Sequence, residues 1–159
     1  MKSPLSPIPA HRHRGFTLVE IMVVAVIIGM LAAIAIPAFG KIRRSAQNNR
    51  FVSDLRTFAQ AYETYVLKNG AWPPNASSGV VPAGMSGELR DAAWRAVNSV
   101  GGRWNWDLNN FGVTAGISAT GVTADDAQMT EIDAKIDDGD LSTGLFIKNS
   151  NRFIFVLAP

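Results

Sequence analysis

The sequence predicts an α+β protein in which a long N-terminal α-helix packs on a small antiparallel β-sheet domain. One observation is the apolar run from Phe16 to Ile36, which continues into apolar residues at helical spacing. Another is a set of short strand-like segments after residue 100, separated by turns rich in Gly and Asn. The apolar run is 21 residues long. As a helix it extends roughly 31 Å, close to the ~30 Å hydrocarbon core, so it is expected to span a membrane.

A basic leader precedes this membrane segment and is expected to be removed. Residues 1–15 contain Lys2, Arg12 and Arg14, and Gly15 stands directly before the first apolar residue. The apolar run is too long for an ordinary secretory signal, whose apolar part is ~7–15 residues. A cut after Gly15 would therefore leave the membrane segment on the mature protein.

Glu20 is the only charged side chain within the apolar run, and its carboxylate needs a partner. Insertion scales assign ~2.5–3.5 kcal/mol to a charge at the centre of a membrane helix, and less is expected near its end. Two interpretations stay open. Glu20 snorkels toward water, or it pairs with a freed amine of Phe16 on a neighbouring subunit.

The helix is expected to continue outside the membrane over residues 37–69. Apolar residues recur there at helical period, and Asn69 followed by Gly70 supplies a stop signal. Pro37 removes a backbone donor, so a kink is expected at that residue, with Gly29 as a second flexible point. The apolar stripe of this segment would complete the core of the head.

The remaining residues, 70–159, are expected to form one small α/β head. A short helix is predicted over 88–97, and a second runs from a cap at Thr123 to about Asp137. The predicted strands cover 103–108, 111–118, 145–147 and 152–157, with turns at 109–110 and 149–151. In so small a domain the four tryptophans are expected to lie in the core rather than to stack on bases or sugars.

Acidic residues concentrate near the end of the second predicted head helix. Asp137, Asp138 and Asp140 surround a turn glycine, and Asp133 lies one helical turn earlier. Hard oxygen ligands of this kind suit calcium, although the spacing does not match an EF-hand loop. A polar helix end and turn is the alternative, since Asp and Gly are common there. Calcium is left open as a cofactor, and no other is expected.

The amino-acid composition gives little indication of a catalytic role. The chain has no cysteine, and its two histidines, His11 and His13, both lie in the leader. These facts exclude a thiolate nucleophile and a Cys/His zinc cluster. Loss of the leader removes three of the 15 basic residues against 13 acidic ones, so the positive net charge is no nucleic-acid signal. We expect neither an enzyme nor a nucleic-acid partner.

The motif Gly-Phe-Thr-Leu-Val-Glu at 15–20 resembles that of the type IV pilin superfamily, which includes type IV pilins and the pseudopilins of type II secretion. Pro37 and the segment Gly-Ala-Trp-Pro-Pro at 70–74 extend the resemblance, which is specific from Arg12 to about Gly70. It implies that a prepilin peptidase cuts between Gly15 and Phe16 and methylates the new amine. It also implies that the helix between Gly29 and Pro37 can melt on filament assembly, and that calcium stabilises a C-terminal loop in some pseudopilins.

The resemblance implies a single-pass protein of the bacterial inner membrane, with a cytoplasmic leader and a periplasmic C-terminal domain. Its partners would be other pilins or pseudopilins, the prepilin peptidase and an inner-membrane assembly platform. The expected function is that of a structural subunit of a type II secretion pseudopilus or of a type IV pilus-like filament. Two alternatives stay open: a minor pilin that acts in binding, adhesion or uptake at a filament tip, and a single-span anchor for a periplasmic binding domain.

Overall fold

The computed structural model describes residues 16–159. The chain forms two compact units, with the boundary between Gly40 and Lys41. Helix α1 spans Leu18–Asn69 and therefore contributes to both units. It is helical throughout, including at Gly29 and Pro37.

The described part of the first unit, residues 16–40, consists almost entirely of the start of α1. Its large apolar side chains are mostly exposed, and the helix is long and apolar enough to cross a membrane, with a mean hydropathy of 2.8 in its most apolar window. Exposure of such a surface to water is unfavourable, so this helix requires an apolar environment.

The second unit, residues 41–159, contains the rest of α1, two short helices and one sheet. Its elements after α1 are α2 (Asp91–Arg95), β1 (Arg103–Asn110), β2 (Val113–Thr120), α3 (Asp126–Ile136), β3 (Phe146–Asn149) and β4 (Arg152–Ala158). The strands lie in the order β1-β2-β4-β3, and every neighbouring pair is antiparallel. The predicted α+β fold, a long helix on a small antiparallel sheet, is confirmed.

Aromatic packing between α1 and the sheet forms the core of this unit. Phe51 stacks on Trp104 with ring centroids 4.7 Å apart, and Tyr62 stacks on Trp106 at 4.0 Å. The buried residues of α1 follow one another at intervals of one or three positions, which places them on one helical face. Trp94, Trp104 and Trp106 are buried, and Trp72 packs against them. The predicted core position of the tryptophans is thus confirmed.

The turn between the first two strands lies two residues later than predicted. Asn109 and Asn110 belong to β1, and the two-residue turn is formed by Phe111 and Gly112. Both turn residues have positive φ, at 54° and 83°, as a type I′ hairpin turn requires. A glycine at the second position favours this turn, and the Asn-Asn pair offers none.

The helices of the head are shorter than predicted. The first begins at Asp91 rather than at residue 88, because Leu89 forms a bridge with Ser86. The second is capped by Asp125, whose carboxylate accepts a hydrogen bond from the Gln128 amide at 2.7 Å. Thr123, the predicted cap, instead donates its hydroxyl to the Val100 carbonyl.

Candidate functional site

The N-terminus of α1 is held by a reciprocal pair of hydrogen bonds between Thr17 and Glu20. The Thr17 amide and hydroxyl both donate to Glu20 Oε2 at 2.8 Å, and the Glu20 amide donates to Thr17 Oγ1 at 3.2 Å. Thr17 directly precedes the first helical residue, so the pair is a capping box, which satisfies backbone donors that the first turn leaves free.

The capping box gives the Glu20 carboxylate a partner within its own chain. This is a third interpretation of Glu20, and the spacing Thr-x-x-Glu before an apolar run is itself a signature of the box. The proposed pairing of Glu20 with a neighbour's amine would have to compete with these local bonds. Phe16 is 83% exposed, and the other half of the predicted cleavage site, Gly15, lies outside the described residues.

Gly29 and Pro37, the predicted flexible points, lie within continuous helix. A Cβ added to Gly29 would meet no atom within 4 Å, so the described chain does not itself require glycine there. Proline still removes one backbone donor from the helix and disturbs the preceding turn. A kink or melting at these positions on assembly stays a prediction.

Three of the four predicted metal ligands lie together at the C-terminal end of α3. Oxygen atoms of Asp133, Asp137 and Asp138 come within 4.8 Å of one another. Asp133 is completely buried, and among residues 16–159 no donor makes a well-aligned hydrogen bond to either of its carboxylate oxygens. A buried carboxylate without a partner is costly, so this group needs a proton or a cation.

The fourth predicted ligand, Asp140, is engaged elsewhere in the loop. Its Oδ1 accepts hydrogen bonds from the Ser142 hydroxyl at 2.6 Å and the Ser142 amide at 3.0 Å. These bonds hold the pKa of Asp140 below its ordinary value. In the same loop Asp137 Oδ2 accepts from the amides of Leu145 and Phe146, which ties the end of α3 to the start of β3.

Burial, followed by the negative charges of Asp138 and Asp137, raises the pKa of Asp133 to about 6, and the nearby Gly139 backbone amide opposes this shift in part. The loop thus brings like charges close to a buried carboxyl group. The sequence already indicates this burial, because Asp133 lies four residues after Met129, on the apolar face of α3.

The basic segment after the membrane run and the acidic segment 125–140 meet within one chain. Arg44 lies 3.2 Å from Asp125 and 3.1 Å from Glu131. Buried Asn48 donates to Glu131 at 2.8 Å and accepts from Gln128 at 2.8 Å. These contacts fix α3 against α1 within one chain.

Comparison with known proteins places these features in a family. The family profile described as the prokaryotic N-terminal methylation motif matches residues 10–36. The type IV major pilin protein PilE1 of Neisseria gonorrhoeae is 34% identical over 109 residues, which are 69% of this chain and 46% of that protein. A fimbrial protein of Neisseria meningitidis is 33% identical over 109 residues, 69% of this chain and 58% of its own.

The type II secretion system core protein G of Klebsiella pneumoniae is 44% identical over 62 residues, 39% of this chain and 44% of that protein. The chain spans about half the length of these relatives. No solved structure gives a significant match. The N-terminal methylation motif, the apolar first half of α1 and these relatives together show that the chain belongs to the superfamily of type IV pilins and type II secretion pseudopilins.

Proposed function

We propose that the chain is a structural subunit of a type IV pilus-like filament or of a type II secretion pseudopilus. The observation that carries this proposal is the methylation motif at residues 10–36, which includes the exposed apolar start of α1. An apolar helix of this length serves as a membrane anchor first and can then pack against copies of itself in a filament core. Relatives of both kinds, a type IV pilin and a type II secretion core protein G, support the proposal.

The proposal includes processing and orientation. A prepilin peptidase cuts between Gly15 and Phe16 and methylates the Phe16 amine, and an assembly platform in the inner membrane then receives the subunit. The basic leader faces the cytoplasm, and the head unit lies on the other side, because long domains cross largely regardless of their charge. Cutting at Gly15 preserves the capping box, since both Thr17 and Glu20 remain on the mature chain.

Mass spectrometry of the protein from cells with an active prepilin peptidase tests this proposal. The expected mature chain begins at Phe16 with a methylated amine. Gly15→Leu should leave the leader attached, because a bulky side chain fills the position before the cut. Ala10→Leu places the same side chain elsewhere in the leader and should be processed normally. An intact leader on the wild-type chain would exclude the proposal.

We also propose that Asp133, Asp137 and Asp138 hold calcium, with Asp140 ordering the loop from outside the cluster. The support comes from Asp133, whose two buried oxygens have no hydrogen-bond partner among residues 16–159 and lie within reach of two further carboxylates. A divalent cation would supply positive charge and coordination to the Asp133 oxygens, while Asp137 and Asp138 already accept hydrogen bonds within the loop. Its role would be to fix the loop between α3 and β3 in a chain that has no disulfide.

A further inference from the structure

The turn between β1 and β2 places an aromatic ring where hairpins of this kind normally carry a small polar residue. Phe111 has a φ of 54°, and the first position of a type I′ turn favours Asn, Asp or Gly. A bulky side chain rarely adopts this conformation, and residues held in it concentrate at functional sites. The ring of Phe111 is therefore a feature that needs an explanation beyond the turn itself.

Arg152 on β4 covers one face of this ring. The centre of its guanidinium lies 3.7 Å from the ring centroid, within the range of a cation–π contact. The same guanidinium donates to Asp107 Oδ1 at 2.9 Å. Asp107 is buried on β1, so a charged pair anchored in the sheet holds the ring of Phe111 in place.

Beside this arrangement lies a surface cavity of about 220 Å³, on the side of the sheet away from α1. Phe111, Arg152 and Asp107 line it together with Asn105 and Asn110. Asp107 is buried and both of its oxygens are engaged, since Oδ1 accepts from Arg152 and Asn105 and Oδ2 accepts from Ser118.

The asparagines supply the free polar groups of the cavity. Asn105 uses its amide nitrogen on Asp107, and Asn110 uses its oxygen on the Phe111 amide. Within residues 16–159 the remaining oxygen of Asn105 accepts no side-chain or backbone hydrogen, and the amide nitrogen of Asn110 donates to none. Beside an aromatic ring, the site thus offers one amide acceptor, one amide donor and the N–H groups of Arg152 that Asp107 does not use.

These properties select the chemical class of ligand. A cation finds no free carboxylate, and an anion meets a guanidinium that Asp107 already neutralises. A purely apolar ligand would leave the amides unpaired. We propose that this cavity binds a neutral monosaccharide unit, whose hydroxyl groups pair with Asn105 and Asn110 and whose C–H face contacts Phe111. This binding role is additional to filament formation and does not depend on it.

Saturation-transfer NMR on the full mature chain tests the proposal with glucose, galactose, mannose and N-acetylglucosamine as probes. The detergent must be zwitterionic, because alkyl glycosides would compete. At least one of the four sugars should receive saturation from the wild-type chain. Phe111→Asn should weaken its binding by at least about tenfold while the protein stays folded, because Asn is favoured at this turn position. Phe111→Tyr keeps an aromatic ring and should retain binding.

Ser150→Asn is the matched control, since Ser150 has the same φ of 54° in the turn between β3 and β4 and does not line the cavity. It should bind the sugar as the wild type does. The proposal is wrong if none of the four sugars receives saturation, if Phe111→Asn binds as well as the wild type, or if only acetate or phosphate, tested in parallel, binds.

Discussion

At the scale of single residues, the capping box changes what a substitution of Glu20 reveals. Glu20→Ala removes both the charge and the cap, so a loss of assembly in this variant has two explanations. Glu20→Gln removes only the charge, because Gln at the third helical position also completes a capping box.

We expect Glu20→Gln to insert into the membrane at least as well as wild type and to assemble poorly. Its amide cannot form an ion pair with the Phe16 amine of a neighbouring subunit. Filament yield, measured by electron microscopy and by shearing from cells, distinguishes the two roles. Thr17→Ala weakens the cap and keeps the charge, so it should assemble better than Glu20→Gln. Wild-type yield from Glu20→Gln would show that Glu20 acts only as a helix cap.

Asp133 should make the calcium-free protein less stable as pH rises. The raised pKa of about 6 means that the folded state keeps the proton of Asp133 longer than the unfolded chain does. Stability therefore falls from about pH 4 to about pH 6 and stays reduced above that range. Below about pH 4 the carboxyl is protonated in both states, and no difference remains.

Asp133→Asn should remove this pH dependence and raise the free energy of unfolding at pH 7 in chelator by on the order of 2 kcal/mol. At pH 4 the variant and the wild type should differ little. Asp140→Asn, an exposed change in the same loop, serves as the control. Denaturant titrations at both pH values supply the measurement. An equal pH slope in Asp133→Asn and wild type would assign the dependence to another group.

At the scale of elements, the start of α3 depends on Asp125. Asp125→Ala removes the side-chain oxygen that caps the helix and should lower the free energy of unfolding by about 1 kcal/mol. Asp125→Asn keeps the cap and loses only an exposed ion pair with Arg44, so it should lower the free energy of unfolding by less. The free energies of unfolding of these two variants and of Thr123→Ala are to be compared by denaturant titration. A larger effect from Thr123→Ala would place the cap at Thr123 after all.

Elements with a strong local pattern are predictable from this sequence, and so are some of their ends, such as the end of α1 at Asn69. The apolar period of α1 and the alternation of Trp104 and Trp106 along β1 survive in the structure because their aromatic side chains pack together in the core. Strand pairing continues through Asn110, so the two-residue turn falls on Phe111 and Gly112, which both have positive φ. The Asn-Asn pair is a local signal for a turn, but the strand pairing of the neighbouring residues outweighs it.

The features of the candidate site also differ in how far the local sequence predicts them. The capping box is local and is encoded by four consecutive residues. The burial of Asp133 follows from its place on the apolar face of α3, whereas the cavity at Phe111 depends on residues far apart in sequence, such as Asp107 and Arg152. Long-range contacts of this kind cannot be inferred from spacing alone.

At the scale of the whole molecule, the metal should stabilise the head when the full mature chain is studied in detergent. All four tryptophans lie between residues 72 and 106, so their fluorescence reports unfolding of the unit 41–159 without a signal from the membrane segment. Calcium that binds only the folded state at 100 times its dissociation constant adds ~2.7 kcal/mol.

The melting temperature of the wild type should therefore fall in excess chelator and recover with calcium but not with equal magnesium. Asp138→Asn should lose this calcium-specific recovery, while Lys148→Gln, a charge change outside the cluster, should retain it. Identical melting in chelator and in millimolar calcium would remove calcium from the description of this protein.

The aromatic face of α1 also determines how the head resists mechanical load. Phe51 and Tyr62 are 11 residues apart, or ~16 Å along the helix, and each stacks on a tryptophan of the sheet. A force directed along the helix axis acts on these contacts in shear and loads them simultaneously. Under such a force the two contacts must break together. If the helix were peeled away from the sheet, they would break one after another. Tension on α1 is therefore transmitted to the sheet before the head can unfold.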